Sequence, residues 1–271
     1  MDMLILGAGN LGRAVAAARL ERGEPAARLV GRPTSASGRH DAATLLTGNA
    51  GNAGNAGNVG AGGAADVVVE ASLAEAVAPN LTAAVAAGTR RFVIATTGWE
   101  RDRPWIEALL RDHGAAAVAA PNFSLGVVLF GRLVETAARL FGPLPDVDPY
   151  MVEWHRRTKV DRPSGTAREL AQRLIAAHPR KRRLADPTAS GPPAPDELEL
   201  AVVRAGASPG MHLVGFDAPG ETVELRLTAR DRSAYAAGIL AAADWLWREP
   251  RSAGLHAFDQ VVDELLLEAV A

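Results

Sequence analysis

The sequence predicts an α/β protein, a doubly wound parallel sheet followed by a second domain of the α+β kind. Three observations carry this. The glycine turn Gly7-Ala8-Gly9-Asn10-Leu11-Gly12 follows a short apolar run and opens a helical stretch. Strand-like and helix-like segments then alternate through the first 120 residues, the pattern of βα units. After Pro149 the alternation stops, and strand-like segments follow one another with one helix among them. A length of 271 residues fits two domains better than one.

Each element has its local reason. "MLIL", Met3 to Leu6, is the apolar run of a strand covered on both faces. Leu11, Val15 and Ala18 keep helical spacing after it, and Gly23 stands where a helix ends. "ARLVG", Ala27 to Gly31, is a second short strand. Composition then shifts to "TGNAGNAGNAGNVGAGGAA", a Gly-Asn-Ala repeat with no large apolar residue to bury, expected to be a flexible loop. "DVVVEAS" is a strand, "LAEAVAPNLTAAVAAG" a helix broken near Pro79, "RFVIATTGW" a strand and "RPWIEALLRDHG" a helix. "AAAVAAPNFSLGVVLF" reads as a strand ending in a polar turn.

In the second domain "YMVEWHR", "LELAVVRAG", "MHLVGFDA" and "ETVELRLTAR" read as strands of a mixed or mainly antiparallel sheet, with "SGTARELAQRLIAAH" as its helix. From Ser233, "SAYAAGILAAADWLW" is a strongly apolar helix expected to return to the first domain. The expected division is therefore 1–121 completed by 233–271, and 122–232.

Composition removes whole classes of function. Hydrophobic residues at 48%, charged residues at 22% and a net charge of −2 describe an ordinary globular chain with no general pull toward nucleic acid or anionic membrane. No cysteine is present, so disulfides, thiolate metal sites and a cysteine nucleophile are excluded. No apolar run approaches the ~20 residues of a membrane span, and "MDMLILGAG" lacks the basic start of a signal peptide. A cytoplasmic location is expected.

Gly7, Gly9 and Gly12 fit G-x-G-x-x-G between a strand and a helix. Small residues there let the backbone approach a pyrophosphate, which lies on the free N–H groups of the helix start. Where an acid would accept the ribose 2′-OH of NAD, strand two ends in Gly31 and Arg32. Arg32 would grip a 2′-phosphate, so NADPH is the expected cofactor, although one arginine does not exclude NADH.

"EWHRRTKVDRPSGTA", Glu153 to Ala167, gathers His155, Arg156, Arg157, Lys159 and Arg162 in a chain with no net basic charge. Ser164-Gly165-Thr166 precede an apolar helical face at Ala167, Leu170, Ala171, Leu174 and Ile175, with Thr166 and Glu169 spaced as a capping box. A helix start with hydroxyls and a glycine favours a carboxylate or phosphate. His155 and Lys159 are four apart, a spacing that puts both on one side of a strand or a helix. A solvated basic face is the plain alternative, but these features together favour an anion-binding catalytic site.

The same stretch resembles the signature of the dihydrodipicolinate reductases (4-hydroxy-tetrahydrodipicolinate reductases), E-x-H-H-x-x-K-x-D-x-P-S-G-T-A. Glu153, His155, Lys159, Asp161, Pro163, Ser164, Gly165, Thr166 and Ala167 match it. "GAGNLGR" resembles the family's cofactor loop, "ATTGW" its turn beside the nicotinamide, and "APNFSLGV" its hinge; "VRAG", "PGMHLVGF" and "GLHAFDQVVDEL" follow in the family's order.

The resemblance implies a Rossmann-like domain with a substrate-binding and tetramerisation domain, assembled as a homotetramer. It implies that His155 is the general acid and that Lys159 also serves catalysis. Arg156, Lys159, Ser164, Gly165 and Thr166 would hold the carboxylates of a small cyclic imine dicarboxylate. Gly7, Gly9, Asn10, Leu11, Gly12, Arg32, Ala95, Thr97, Asn122 and Phe123 would meet the dinucleotide. The implied reaction is NAD(P)H-dependent reduction of 4-hydroxy-tetrahydrodipicolinate to 2,3,4,5-tetrahydrodipicolinate, in diaminopimelate and lysine synthesis. Hydride would go to C4 and a proton to C3.

The chain departs from the pattern at Arg156 in place of the second histidine, at Ala95 in place of the first glycine of Gly-Thr-Thr-Gly, and at Arg226-Leu227 in place of Thr-His. A paralogue reducing another cyclic imine or unsaturated carboxylate, or a dinucleotide-binding regulator, are the alternative functions. "HPRKRRLAD" is expected to be a solvated turn, not a nucleic-acid patch. His40, His113, His178 and His256 show no metal-ligand spacing, no metal is expected, and His212 reads as structural.

Overall fold

The computed structural model describes residues 1–31 and 64–270. Arg32 and the Gly-Asn-Ala repeat lie outside the described residues. In chain order the elements are β1 (Met3–Leu6), α1 (Asn10–Glu21), β2 (Arg28–Val30), β3 (Val67–Glu70), α2 (Ala74–Ala86), β4 (Arg91–Ile94), α3 (Arg103–Asp112), β5 (Ala116–Ala119), α4 (Leu125–Phe141) and β6 (Asp148–His155). There follow α5 (Gly165–Ala177), β7 (Arg183–Leu184), β8 (Glu197–Arg204), β9 (Met211–Ala218), β10 (Glu221–Thr228), α6 (Ser233–Arg248), β11 (Gly254–Ala257) and α7 (Phe258–Val270). They form two compact units, residues 1–124 with 232–271, and residues 125–231.

The first unit is built on a parallel sheet of order β2-β1-β3-β4-β5-β11. Its central strands are buried along their whole length, as "MLIL" and "VVVE" require. One face carries Leu4, Leu6, Val68, Phe92, Ile94 and Ala117 against Val77, Leu81, Ala84 and Val85 of α2 and Ile106 and Leu110 of α3. On the other, α6 lies against β3, β4 and β5 and beside α1. The doubly wound α/β class read from the sequence is the observed one.

The second unit has the order β10-β9-β6-β8-β7. β6 runs antiparallel to β9 and parallel to β8, so the sheet is mixed. Helices α4 and α5 cover one face through Phe130, Val134, Ala138, Leu170, Ala171 and Leu174, packed on Met151, Leu198, Val214 and Phe216.

Several local expectations are corrected. α2 passes through Pro79 unbroken. The lost N–H leaves one carbonyl, that of Glu75, on an exposed side of the helix, and burial of Val77, Leu81, Ala84 and Val85 outweighs it. "LGVVLF" opens the 17-residue helix α4, because Val128, Gly131, Val134 and Ala138 recur at helical spacing on the buried side. α1 buries Gly12, Val15 and Arg19 fully, with Leu11 and Ala18 half-buried. Gly12 sits against the Gly7 carbonyl, where a Cβ would come within 1.9 Å of the oxygen. Arg19 is buried because it donates to the carbonyls of Pro25 and Met1. The basic "HPRKRRLAD" is not solvated throughout: Lys181 is 2% exposed, with Nζ 2.6 Å from Asp148, and Arg180 donates to the carbonyls of Leu144, Pro145 and Val147.

A buried carboxylate ties together the loops at the C-terminal end of the first sheet. Glu70 is fully buried at the end of β3 and accepts from the Ser72 N–H and hydroxyl, Asn80 Nδ2 and Thr96 Oγ1. Burial pushes its pKa up, and those hydrogen bonds oppose the rise. A carboxylate only accepts, whereas an amide there would point a donor at donors. Glu70→Gln is therefore expected to cost about 1–3 kcal/mol in urea unfolding; a loss under about 0.5 kcal/mol would show that the four donors do not depend on the charge.

Candidate active site

The glycine turn of the first unit is shaped by close approach. Gly7 has φ +114°, and a Cβ there would lie 2.2 Å from the Ala71 carbonyl oxygen. Gly9 is the N-cap of α1 and carries no capping side chain, so the first N–H groups, those of Asn10, Leu11 and Gly12, precede any helical acceptor. No acid stands in that first turn. The turn lies between the ends of β1 and β3, where the chain leaves β1 in opposite directions across the sheet, the usual binding crevice of an open α/β sheet. A pyrophosphate fits this cradle, in both shape and charge.

Two further segments predicted to meet a dinucleotide lie in the same unit. The Ala95 and Thr96 N–H groups donate to the Glu70 carbonyl, which fixes the turn carrying exposed Thr97. Asn122 accepts from the Ser124 N–H, and buried Phe123 packs on Phe258 at 4.9 Å. Gly238 of α6 makes room for that segment, since a Cβ would come 1.7 Å from the Phe123 carbonyl oxygen.

The second unit gathers its polar residues at one end of three adjacent strands. β6 alternates, with Pro149, Met151, Glu153 and His155 on the buried face and Trp154 exposed. Pairing sets His212 of β9 opposite Glu153, and Arg204 of β8 opposite His155. Glu153 is fully buried. Its Oε1 accepts from Arg204 Nη2 at 2.7 Å and from the Ser164 N–H at 2.9 Å, and its Oε2 lies 3.4 Å from His155 Nδ1. Burial works against this carboxylate, but Ser164 and Arg204 bring its pKa below the ordinary value.

His155 has the opposite balance. Burial lowers its pKa; Glu153 pushes back, while Lys159 and Arg204 lower it further. A carboxylate can only accept, so a proton shared across the 3.4 Å between Glu153 Oε2 and His155 Nδ1 would sit on Nδ1. Nε2 faces Gly210, where a Cβ would lie 2.9 Å away. His212 stands edge-on to His155 at 5.3 Å between centroids, and burial followed by the charge of His155 pushes its pKa down to about 4.

Ser164 is the N-cap of α5, accepting from the Ala167 N–H at 3.1 Å. Ser164, and not Thr166 of the expected capping box, is thus the N-cap, and Glu169 accepts from Arg173. Ser164 is 2% exposed and fully engaged by Glu153 and Ala167, so it builds the helix start and leaves Gly165 exposed and Thr166 half-buried beyond it. His155 and Lys159 do not share an element: β6 ends at His155, and a turn closed by the Lys159 N–H on the Arg156 carbonyl brings Lys159 round. Lys159 Nζ lies 2.8 Å from Asp161, and Arg156 is exposed.

Glu153, His155 and His212 also offer ligand atoms within 4.8 Å of one another. A single ion with bonds of about 2.0–2.2 Å draws tetrahedral donors to within roughly 3.5 Å, and the Arg204 guanidinium already neutralises Glu153. These residues suit proton chemistry better than a cation. Arg204 lies in "VRAG" and His212 in "PGMHLVGF", segments that follow the family's order, but the resemblance gave Arg204 no role and His212 only a structural one. From the residues themselves the signal is a polar side chain inside an otherwise apolar strand, which marks burial with a partner without naming it.

Two family models match the chain, dihydrodipicolinate reductase N-terminus over residues 1–123 and dihydrodipicolinate reductase C-terminus over residues 126–262. The chain belongs to the dihydrodipicolinate reductase family. It is thereby an NAD(P)H-dependent oxidoreductase. A 4-hydroxy-tetrahydrodipicolinate reductase of Archaeoglobus fulgidus is 35% identical over 203 residues, 73% of this chain and 76% of that protein. Among solved structures, a dipicolinate-bound dihydrodipicolinate reductase from Paenisporosarcina sp. TG-14 shares the fold, with a TM-score of 0.69 and 18% identity over 95% of this chain and 97% of that one. An amine dehydrogenase from Mycobacterium smegmatis has a TM-score of 0.50 at 14% identity, covering 96% and 95% of the two chains.

The buried imidazoles make stability pH-dependent. His155 and His212 have lowered pKa values, so between about pH 4 and 6.5 the unfolded chain binds more protons than the folded one. Stability therefore falls as pH drops through that window, and His212 alone accounts for a loss of about 3 kcal/mol near its lower end. His212→Gln is expected to flatten the dependence in urea unfolding series between about pH 7 and pH 4. An unchanged slope would place the titrating groups elsewhere.

Proposed function

We propose that the chain reduces 4-hydroxy-tetrahydrodipicolinate to 2,3,4,5-tetrahydrodipicolinate, a step of diaminopimelate and lysine synthesis, and that NADPH is preferred to NADH. The observation that carries this is His155, held by Glu153 beside Lys159 and the α5 N-terminus, in a chain of this family. The A. fulgidus relative bears the name of this activity, and the Paenisporosarcina protein is dipicolinate-bound, which supports a small dicarboxylate as substrate. The NADPH preference rests on Arg32 and on the absence of an acid at the end of β2.

The dinucleotide, when bound, supplies the hydride. The Gly7–Gly12 turn and the α1 N-terminus would hold its pyrophosphate, and the Ala95–Thr97 turn and Asn122–Phe123 would hold its nicotinamide half. Lys159, Arg156, Gly165 and Thr166 hold the substrate carboxylates, while Ser164 acts through the helix cap. Hydride addition to the conjugated imine builds negative charge along the ring, which His155 quenches by giving a proton from Nε2.

To give a proton, His155 must first hold one. Burial with Lys159 and Arg204 opposes that in the free protein. A bound dianion brings negative charge beside the imidazole and raises its pKa, so the substrate recruits the proton that it later consumes.

The test is NADPH and NADH oxidation with freshly generated substrate, beside a panel of other cyclic imines. kcat/KM is expected to fall as pH rises through a pKa below 6.5, with kcat holding to higher pH. His155→Ala should lower kcat by roughly 10²–10⁴-fold, and Lys159→Ala should act mainly on KM. Faster turnover of a panel imine would move the assignment to a paralogue, the reading that Arg156 favours.

For assembly, the outer face of the second sheet supports a homotetramer contact. Val152 pairs with Ala201 and Leu213, and Trp154 pairs with Val203 and Met211, a contiguous apolar face on which Trp154 is 38% and Val203 40% exposed. Light scattering is expected to give a tetramer, and Trp154→Glu smaller species; a monomeric unmutated protein would rule the assembly out.

A further inference from the structure

We infer that Asp161 occupies the place of a substrate carboxylate in the free protein and is displaced when a dicarboxylate binds. The inference rests on the substrate reading above and adds to it a competitor carried by the chain itself. Lys159 Nζ, assigned there to a substrate carboxylate, lies 2.8 Å from Asp161 Oδ1. The Gly165 N–H, at the first residue of α5, acts on the same carboxylate, as does the N–H of Asp161 itself. With Lys159 these groups hold the Asp161 pKa below its ordinary value, Lys159 contributing most. The cation and the helix start that would receive a ligand anion therefore already face one.

Asp161 is held there by residues that are not themselves ligands. Arg204 Nη2 donates to the Asp161 carbonyl at 2.6 Å and to Glu153 Oε1 at 2.7 Å. The main chain of Asp161 is thus anchored to the buried Glu153–Arg204 pair, and its side chain swings from a fixed point. The contact is also weak enough to exchange. Lys159 and Asp161 side chains are 24% and 40% exposed, and partly solvated ion pairs contribute little. Once released, the aspartate is hydrated, so no buried charge is left unpaired.

The consequence is selectivity. A tethered carboxylate competes as a local ligand at high effective concentration. A ligand with one carboxylate only replaces like with like at this point and gains little. A ligand with a second carboxylate, held elsewhere in the site, gains from the contacts that Asp161 cannot imitate. Asp161 thereby acts as a specificity-determining residue against monocarboxylates.

Calorimetric titration of the full chain with pyridine-2,6-dicarboxylate and pyridine-2-carboxylate tests this, using Asp161→Asn, Asp161→Ser and Lys159→Ala. Both Asp161 variants are expected to bind the dicarboxylate about 3- to 30-fold tighter, the range for releasing an exposed ion pair and a helix-terminus contact. Both should bring the monocarboxylate within measurable range, and the gain should vanish in a Lys159→Ala background. Equal or weaker dicarboxylate binding in both variants would overturn the inference, since Asp161 would then only brace Lys159. Failure of the substrate reading looks different: neither the unmutated protein nor any variant binds the dicarboxylate, and the inference falls with it.

Discussion

The second unit depends on keeping one carboxylate charged where no water reaches it. Glu153 has no exposed surface, and a buried charge without partners costs several kcal/mol. Each neighbouring element answers that demand. β8 brings the Arg204 guanidinium, α5 begins where the Ser164 N–H can donate, and the His155 imidazole turns its Nδ1 edge toward the free oxygen. The helix start that favours anions and the imidazole that holds a proton are thus fixed by the same group. Arg204 further anchors the Asp161 carbonyl, so the loop carrying Lys159 is tied to the same centre.

The first unit solves a related problem with different partners, and the chemistry differs accordingly. Glu70 is surrounded by neutral donors, so burial wins and its pKa rises. Glu153 has a guanidinium, so its pKa falls. Neutral donors come from the loops beyond β3 and β4 and from α2, and their common acceptor holds those loops at the end of the sheet where the glycine turn lies. One carboxylate serves as a rigid bracket for binding. The other biases the protonation of a neighbour.

Much of this was legible in the order of residues, because the features concerned are local. The close approach of Gly12 to the Gly7 carbonyl is a matter of neighbours within one turn, and the sheet strands announce themselves as short apolar runs, whereas the crowding of Gly7 by Ala71 comes from the end of another strand. The stretch from Glu153 to Ala167 raises the expectation of an anion site through its clustered cations and its Ser-Gly-Thr helix start. Local reading failed where packing overrode propensity. Pro79 sits inside α2 because the buried side of that helix outweighs one missing hydrogen bond. α4 was lost because its opening residues are as apolar as a buried strand. Lys181 looked like a solvated cation, yet Asp148, 33 positions earlier in sequence, lies beside it.

The sequence by itself determined the alternation of the first unit, the glycine cradle, the anion-favouring start of α5 and the type of chemistry His155 offers. The tertiary structure alone decided which polar groups surround that histidine. Glu153 and Arg204 are 51 positions apart and His212 comes from a third strand, so no local spacing relates them. Period-two alternation tells which face a strand residue occupies, but not which strand lies beside it. That is settled by register, and register is fixed by burying Met151, Leu198, Val214 and Phe216 against two helices. The proton affinity of His155 is a property of that packing, since burial and the charges that packing delivers are what shift it.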